Sequence, residues 1–215
     1  DSGSSCGGVK FFPNSLSNKD ESMIFRNNTL EGNIKCPAVW FDTEGAGHQI
    51  LNNTIKNNGD YGIMIEVSKG TATKPIVIEG NTFENNGVGT EWFGGVYISA
   101  SDYVQVKNNI FKNQPGGVFA QGFNVSDLLR KSISNNAITN NIFINVALPI
   151  TIPVTSNIAY RRFSIGYNPS VFDPAWESKL QVSAVNNISD YNTFYGTSAT
   201  PVWKNNGATG SLLAD

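Results

Sequence analysis

The sequence predicts an all-β, single-stranded parallel β-helix, a solenoid with coils of about 25–30 residues. Three observations predict it. An Asn-centred phrase recurs as "FRNNTL", "ILNNTI", "IEGNTF", "VKNNIF" and "TNNIF", with its second member at Asn28, Asn53, Asn81, Asn109 and Asn141, at spacings of 25, 28, 28 and 32 residues. A further copy, "SDYNTF", puts Asn192 in the same role. No long segment carries apolar residues at i, i+3 and i+4, so the repeat is not helical. Short alternating runs follow each Asn, as strands separated by polar turns require.

Each part of the coil has a physical reason. An Asn recurring once per turn can stack on its neighbours in a ladder of amide hydrogen bonds. The residues two places on, Leu30, Ile55, Phe83, Phe111 and Phe143, then point inward and fill the core. After a second turn come "AVWFD" (38–42), "GIMIE" (62–66), "GVYIS" (95–99) and "GVFAQ" (117–121). Alternation sends Val39 and Phe41, Ile63 and Ile65, Val96 and Ile98, and Val118 and Ala120 into the core. Trp40 and Asp42, Met64 and Glu66, Tyr97 and Ser99, and Phe119 and Gln121 then face outward. A slip of one residue would bury both acids, so the register is strongly specified.

The outward rows carry the candidate chemistry. Neighbouring strands lie ~4.8 Å apart, which sets Asp42 beside Glu66. Trp40, Met64, Tyr97 and Phe119 form an apolar stripe next to them, and exposed contiguous aromatics mark binding surfaces. Adjacent carboxyls repel, so one pKa rises and the pair titrates as a unit. That inventory suits a glycosidase, with Asp42 as nucleophile and Glu66 as acid/base, and the adjacent rungs favour retention. The same acids also fit a Ca²⁺ site or plain solvation. Lys10, in "GGVKFF", aligns one rung from Trp40, where it either pairs with the acids or substrate or is merely solvated. His48, the only histidine, is read as a substrate contact or a surface turn residue. No zinc-type cluster can be assembled from one His and two Cys. Cys6 aligns with Cys36, each three residues before its valine, close enough on adjacent rungs for a disulfide.

The run "CGGVKFF…VWFDTEG…NNTIKNNGDYGIMIEVS…GNTFENNG…GGVYISAS" resembles the right-handed parallel β-helix superfamily of pectate-lyase-like proteins. Its nearest likeness is to β-helix proteins classed as glycoside hydrolases. The resemblance implies a right-handed coil and a carbohydrate-active role on a polysaccharide or glycan. The alternative is a non-catalytic glycan-binding, adhesive or structural assembly module that uses the same surface.

The bulk numbers set limits. Only 15% of the 215 residues are charged and the net charge is −2, which argues against a nucleic-acid surface. No apolar run approaches the ~20 residues of a membrane span. A disulfide and a start on Asp1 fit a secreted or cell-surface protein whose leader has been removed. Sequons at Asn27, Asn52, Asn124 and Asn187 add little, since Asn-Thr pairs come with the repeat. Residues 1–215 are read as one domain with an irregular insertion at about 145–183, where Arg161 and Arg162 suit an acidic sugar or plain solvent. Neither end shows a cap, so a longer chain or a partner is expected to cover the ends.

Overall fold

The computed structural model describes residues 8–12, 22–34, 36–42, 45–88, 94–121, 133–151 and 187–196. It describes the backbone alone at 202–205 and 208–211, and at positions 121, 148, 149 and 151. The described coils form a right-handed parallel β-helix of three strand columns. The first column stacks β2 (Ile24–Arg26), β5 (Gln49–Leu51), β8 (Ile76–Glu79), β11 (Val104–Lys107), β13 (Ala137–Thr139) and β15 (Ile188–Asp190). The second stacks β3 (Thr29–Glu31), β6 (Thr54–Lys56) and β9 (Thr82–Glu84), then the first halves of β12 (Ile110–Gln121) and β14 (Ile142–Thr151), then β16 (Thr193–Tyr195). The third stacks β1 (Val9–Phe11), β4 (Val39–Asp42), β7 (Ile63–Glu66) and β10 (Gly94–Ser99), then the second halves of β12 and β14. A short antiparallel pair, β17 (Val202–Asn205) and β18 (Ala208–Ser211), follows in the chain.

The repeated Asn pair has two jobs at each turn between the first and second columns. The first member adopts a left-handed backbone at Asn27, Asn52, Asn108 and Asn140, with Gly80 and Tyr191 in the equivalent places. Asn tolerates that conformation better than most residues, which is why the turn repeats it. The second member turns inward. Asn53 donates through Nδ2 to Asn81 Oδ1 at 2.9 Å, Asn81 to Asn109 at 3.0 Å, and Asn109 to Asn141 at 3.0 Å. Each Oδ1 also accepts the backbone N–H of the coil below, as from Asn81 to Asn109 at 2.9 Å. Buried amides are thereby satisfied on both sides.

A second ladder, not anticipated from the repeat phrase, runs five residues later. Asn33 donates to Asn58, Asn58 to Asn86, and Asn86 to Gln114, at 2.8, 2.8 and 3.2 Å. Between the ladders lies the aromatic spine of the core. Phe83, Phe111 and Phe143 are wholly buried and stack at 4.7 and 4.9 Å, and Phe194 continues the stack at 5.2 Å. This spine explains a glycine pattern at the head of the third column. A Cβ at Gly62 would strike the Phe83 ring, and one at Gly95 would strike Phe111.

The third column keeps the expected register. Val39 pairs with Ile63, Asp42 with Glu66, Tyr97 with Met64 and Phe119 with Tyr97. Residues 145–151, expected to open the irregular insertion, belong to β14, where Val146 pairs with Gln114 and Ile150 with Val118, and residues 152–186 lie outside the described residues. Arg161, Arg162, Cys6, Glu44 and Asn124 lie outside the described residues.

Candidate functional site

The outer face of the third column brings Lys10, Trp40, Asp42 and Glu66 together. β1 pairs with β4 so that Lys10 lies opposite Trp40, and β4 pairs with β7 so that Asp42 lies opposite Glu66. Lys10 Nζ is 2.8 Å from Asp42 Oδ2, and these side chains are 20% and 15% exposed. The same ammonium sits 3.6 Å above the Trp40 ring centroid, a cation–π contact that occupies the indole face. Trp40 is therefore not an open stacking platform on that side.

Glu66 is half-buried on β7. Burial, and after it the Asp42 charge, pushes its carboxyl up to about 7, while Trp40 and Lys10 pull the other way. Glu66 therefore carries a proton on a large fraction of molecules near neutral pH. The indole N–H of Trp40 is buried and closes no hydrogen bond within 3.5 Å, although it lies near enough to favour the Glu66 carboxylate. On the next rung, Ser99 pairs with Glu66. Ser99 is fully buried, and its Oγ has no hydrogen-bond partner among the described residues.

Three expected contacts need correction. Tyr97 and Phe119 are not an exposed stripe: they are only 8% and 5% exposed and pack with Tyr61 and Met64 in a second apolar cluster. Tyr61 stacks on Tyr97 at 4.7 Å, and Tyr97 meets Phe119 at 5.5 Å. Burying ring area outweighs leaving it wet. Strand alternation missed Tyr61 because it precedes β7. His48 is likewise not at the surface: it is wholly buried, its Nδ1 accepts the Met23 N–H at 3.2 Å, and its ring packs against Phe41 at 5.2 Å. It serves its turn as Asn136 serves a later one, where Asn136 Oδ1 accepts the Val104 N–H at 2.8 Å. Burial lowers the His48 pKa and keeps the ring neutral. Cys36 is buried and disulfide-bonded, while Cys6 is not among the described residues.

The fold and this face define a parallel β-helix with a half-buried polar cluster on one outer sheet. The family comparison narrows it: the model described as "Periplasmic copper-binding protein (NosD)" matches residues 15–168, and the chain belongs to the NosD family. No curated protein and no solved structure matches the chain. The family assignment overturns the expected glycoside-hydrolase class and its carbohydrate-active label, because the matched family is described as a binding protein.

The described residues do not fit a copper centre. Among them, no three His, Cys, Asp or Glu side chains come together. His48 has its Nδ1 committed to a backbone amide, and Cys36 is committed to a disulfide. The two methionines are apart, with Met64 in the third column and Met23 just before β2 in the first. Among the described residues no helix is long and apolar enough to cross a membrane.

Proposed function

We propose that the chain is a non-catalytic, glycan-binding β-helix module that works outside the cytoplasm. One observation carries the reading. Among the described strand pairings, only Asp42 and Glu66 set two like charges in register, and they do so half-buried. Such an arrangement costs stability, which points to a ligand rather than to the fold as its reason. Carboxyl groups accept or share hydrogen bonds with sugar hydroxyls in this setting. Asp42 is held by Lys10, which suits a fixed binding contact better than a nucleophile that must attack. The word "periplasmic" in the family description supports an extracytoplasmic site of action. Its "copper-binding" finds no support in the donor groups above.

The test is a panel of soluble oligosaccharides titrated calorimetrically, with a reducing-end assay on the same samples. Binding without release of reducing ends, weakened at least tenfold by Asp42→Asn, is the expected result. Release of reducing ends that Asp42→Asn abolishes would overturn the non-catalytic reading. Absence of binding across the panel would overturn the glycan reading and favour the assembly module, which sedimentation would then reveal as self-association.

A further inference from the structure

We infer that the recognition site within this face is a hydroxyl-selective notch formed by Trp40 Nε1, Glu66 and Ser99 Oγ, and that it takes neutral sugars in preference to uronates, amino sugars or metal ions. The inference rests on the glycan reading and names the ligand class for the same site.

The argument starts from unmet hydrogen bonds. Buried polar groups are nearly always paired, and those that are not call for a reason. Here two such groups flank one carboxyl. Trp40 Nε1 on β4 is a donor only, while Ser99 Oγ on β10 both donates and accepts. Among the described residues neither closes a hydrogen bond within 3.5 Å, and the indole N–H leans toward the Glu66 carboxyl. Glu66 lies between them on β7, since β4, β7 and β10 are consecutive in the sheet. The row grades from a partly buried rim at Lys10 and Asp42 to a fully buried end at Ser99.

A ligand group that completes this set must offer an acceptor to the indole and both a donor and an acceptor to Ser99 and Glu66. A hydroxyl does all of this, and neighbouring hydroxyls on a sugar ring do it at several points. A metal ion fails, because the indole offers only a positive hydrogen and the Lys10 ammonium stands at the rim. Among the described residues a uronate finds no free cation on this face, since Lys10 is already ion-paired with Asp42 and packed on Trp40. Its carboxylate would meet two acids instead. An amino sugar is attracted by those acids but brings an ammonium that cannot accept from Trp40.

The experiment titrates cellotetraose, mannotetraose, tetragalacturonate, chitosan tetramer, CaCl₂ and CuSO₄ into the wild type, Ser99→Ala, Trp40→Phe and Glu66→Gln. Thermal melts serve as controls for folding. A neutral tetramer binding at least tenfold more tightly than the charged ones is the expected result. Ser99→Ala and Trp40→Phe should each weaken it roughly five- to tenfold, the loss expected for one hydrogen bond. Glu66→Gln, which exchanges the carboxyl in the notch for an amide, should weaken it less than either of these. Preference for tetragalacturonate, chitosan or either metal ion overturns the inference, as does neutral binding indifferent to both Ser99→Ala and Trp40→Phe. Those outcomes leave the glycan reading standing where a sugar still binds, whereas failure of every sugar removes both. If Ser99→Ala does not fold, Trp40→Phe and the ligand ranking still decide.

Discussion

The outward rows of the second and third columns both carry charge, and their contrast separates scaffold from site. On the second column the row reads Glu31, Lys56, Glu84, Lys112, with Lys56–Glu31 at 3.2 Å and Lys112–Glu84 at 2.9 Å. Signs alternate from coil to coil, the order that cross-strand electrostatics favours. On the third column Asp42 and Glu66 are adjacent, with one lysine shared at the side. The first row is what a coil adopts when only solubility and stability matter. The second departs from it in one place, and that place is buried enough for the departure to be costly.

Breaking the scaffold should give the largest effect. Asn109 donates to Ile78 O, Lys107 O and Asn141 Oδ1, and accepts from Asn81. Asn109→Ala strips these buried partners and should cost about 3–5 kcal/mol, read as a large fall in melting temperature. A loss below about 1 kcal/mol would mean that the ladder is ornamental.

The acid row comes next, and its effect depends on pH. Glu66 has a folded pKa of about 7, raised above its ordinary 4.5. Its contribution is fully present below pH 4.5 and is lost as pH rises through about 7. Asp60, pushed up to about 6 by burial, acts in the same direction from about pH 4 upward. Glu66→Gln should therefore stabilise the protein above pH 7 by roughly 2–3 kcal/mol and leave it little changed at pH 4. Denaturant titrations at both pH values check this; equal effects at the two would show that the acid is not held as described.

His48 gives a smaller effect of opposite sign. Its folded pKa lies below the ordinary value, so stability is intact above about pH 6.5 and falls as pH drops below it. His48→Ala should cost about 1–2 kcal/mol at pH 8 through the unpaired Met23 amide. His48→Asn should recover part of that loss, since Asn136 accepts in the same way elsewhere. The alternating row closes the series. Lys56→Ala should change stability by less than about 1 kcal/mol, because both partners are within reach of water, 35% and 47% exposed.

The coil was legible because it is periodic. Each Asn ladder position and each inward residue of the third column repeats a constraint, so one copy corrects the reading of another. The pairing of Asp42 with Glu66 followed from that register alone. The burial of Tyr97 and Phe119 did not, because alternation tells which side of a sheet a residue takes and not what lies over that side. His48 was misread for a related reason: one histidine in a row of otherwise unlike residues leaves no repeat to expose its role. The second ladder was available, since "KNNG", "ENNG" and "KNQP" recur after each first turn.

That second ladder also bears on how the molecule ages. Asn58–Gly59 and Asn86–Gly87 are the dipeptide type in which a glycine amide nitrogen attacks the preceding side chain, releasing ammonia and closing a cyclic imide that water then opens to an acid. Here Gly59 N is held by Asn33 O and Gly87 N by Asn58 O, both at 2.7 Å, while the Asn58 and Asn86 amides are clamped by neighbouring coils. The attacking atom and its target are pinned apart by the bonds that stack the coils, so these two chemical clocks run only when the rod comes undone.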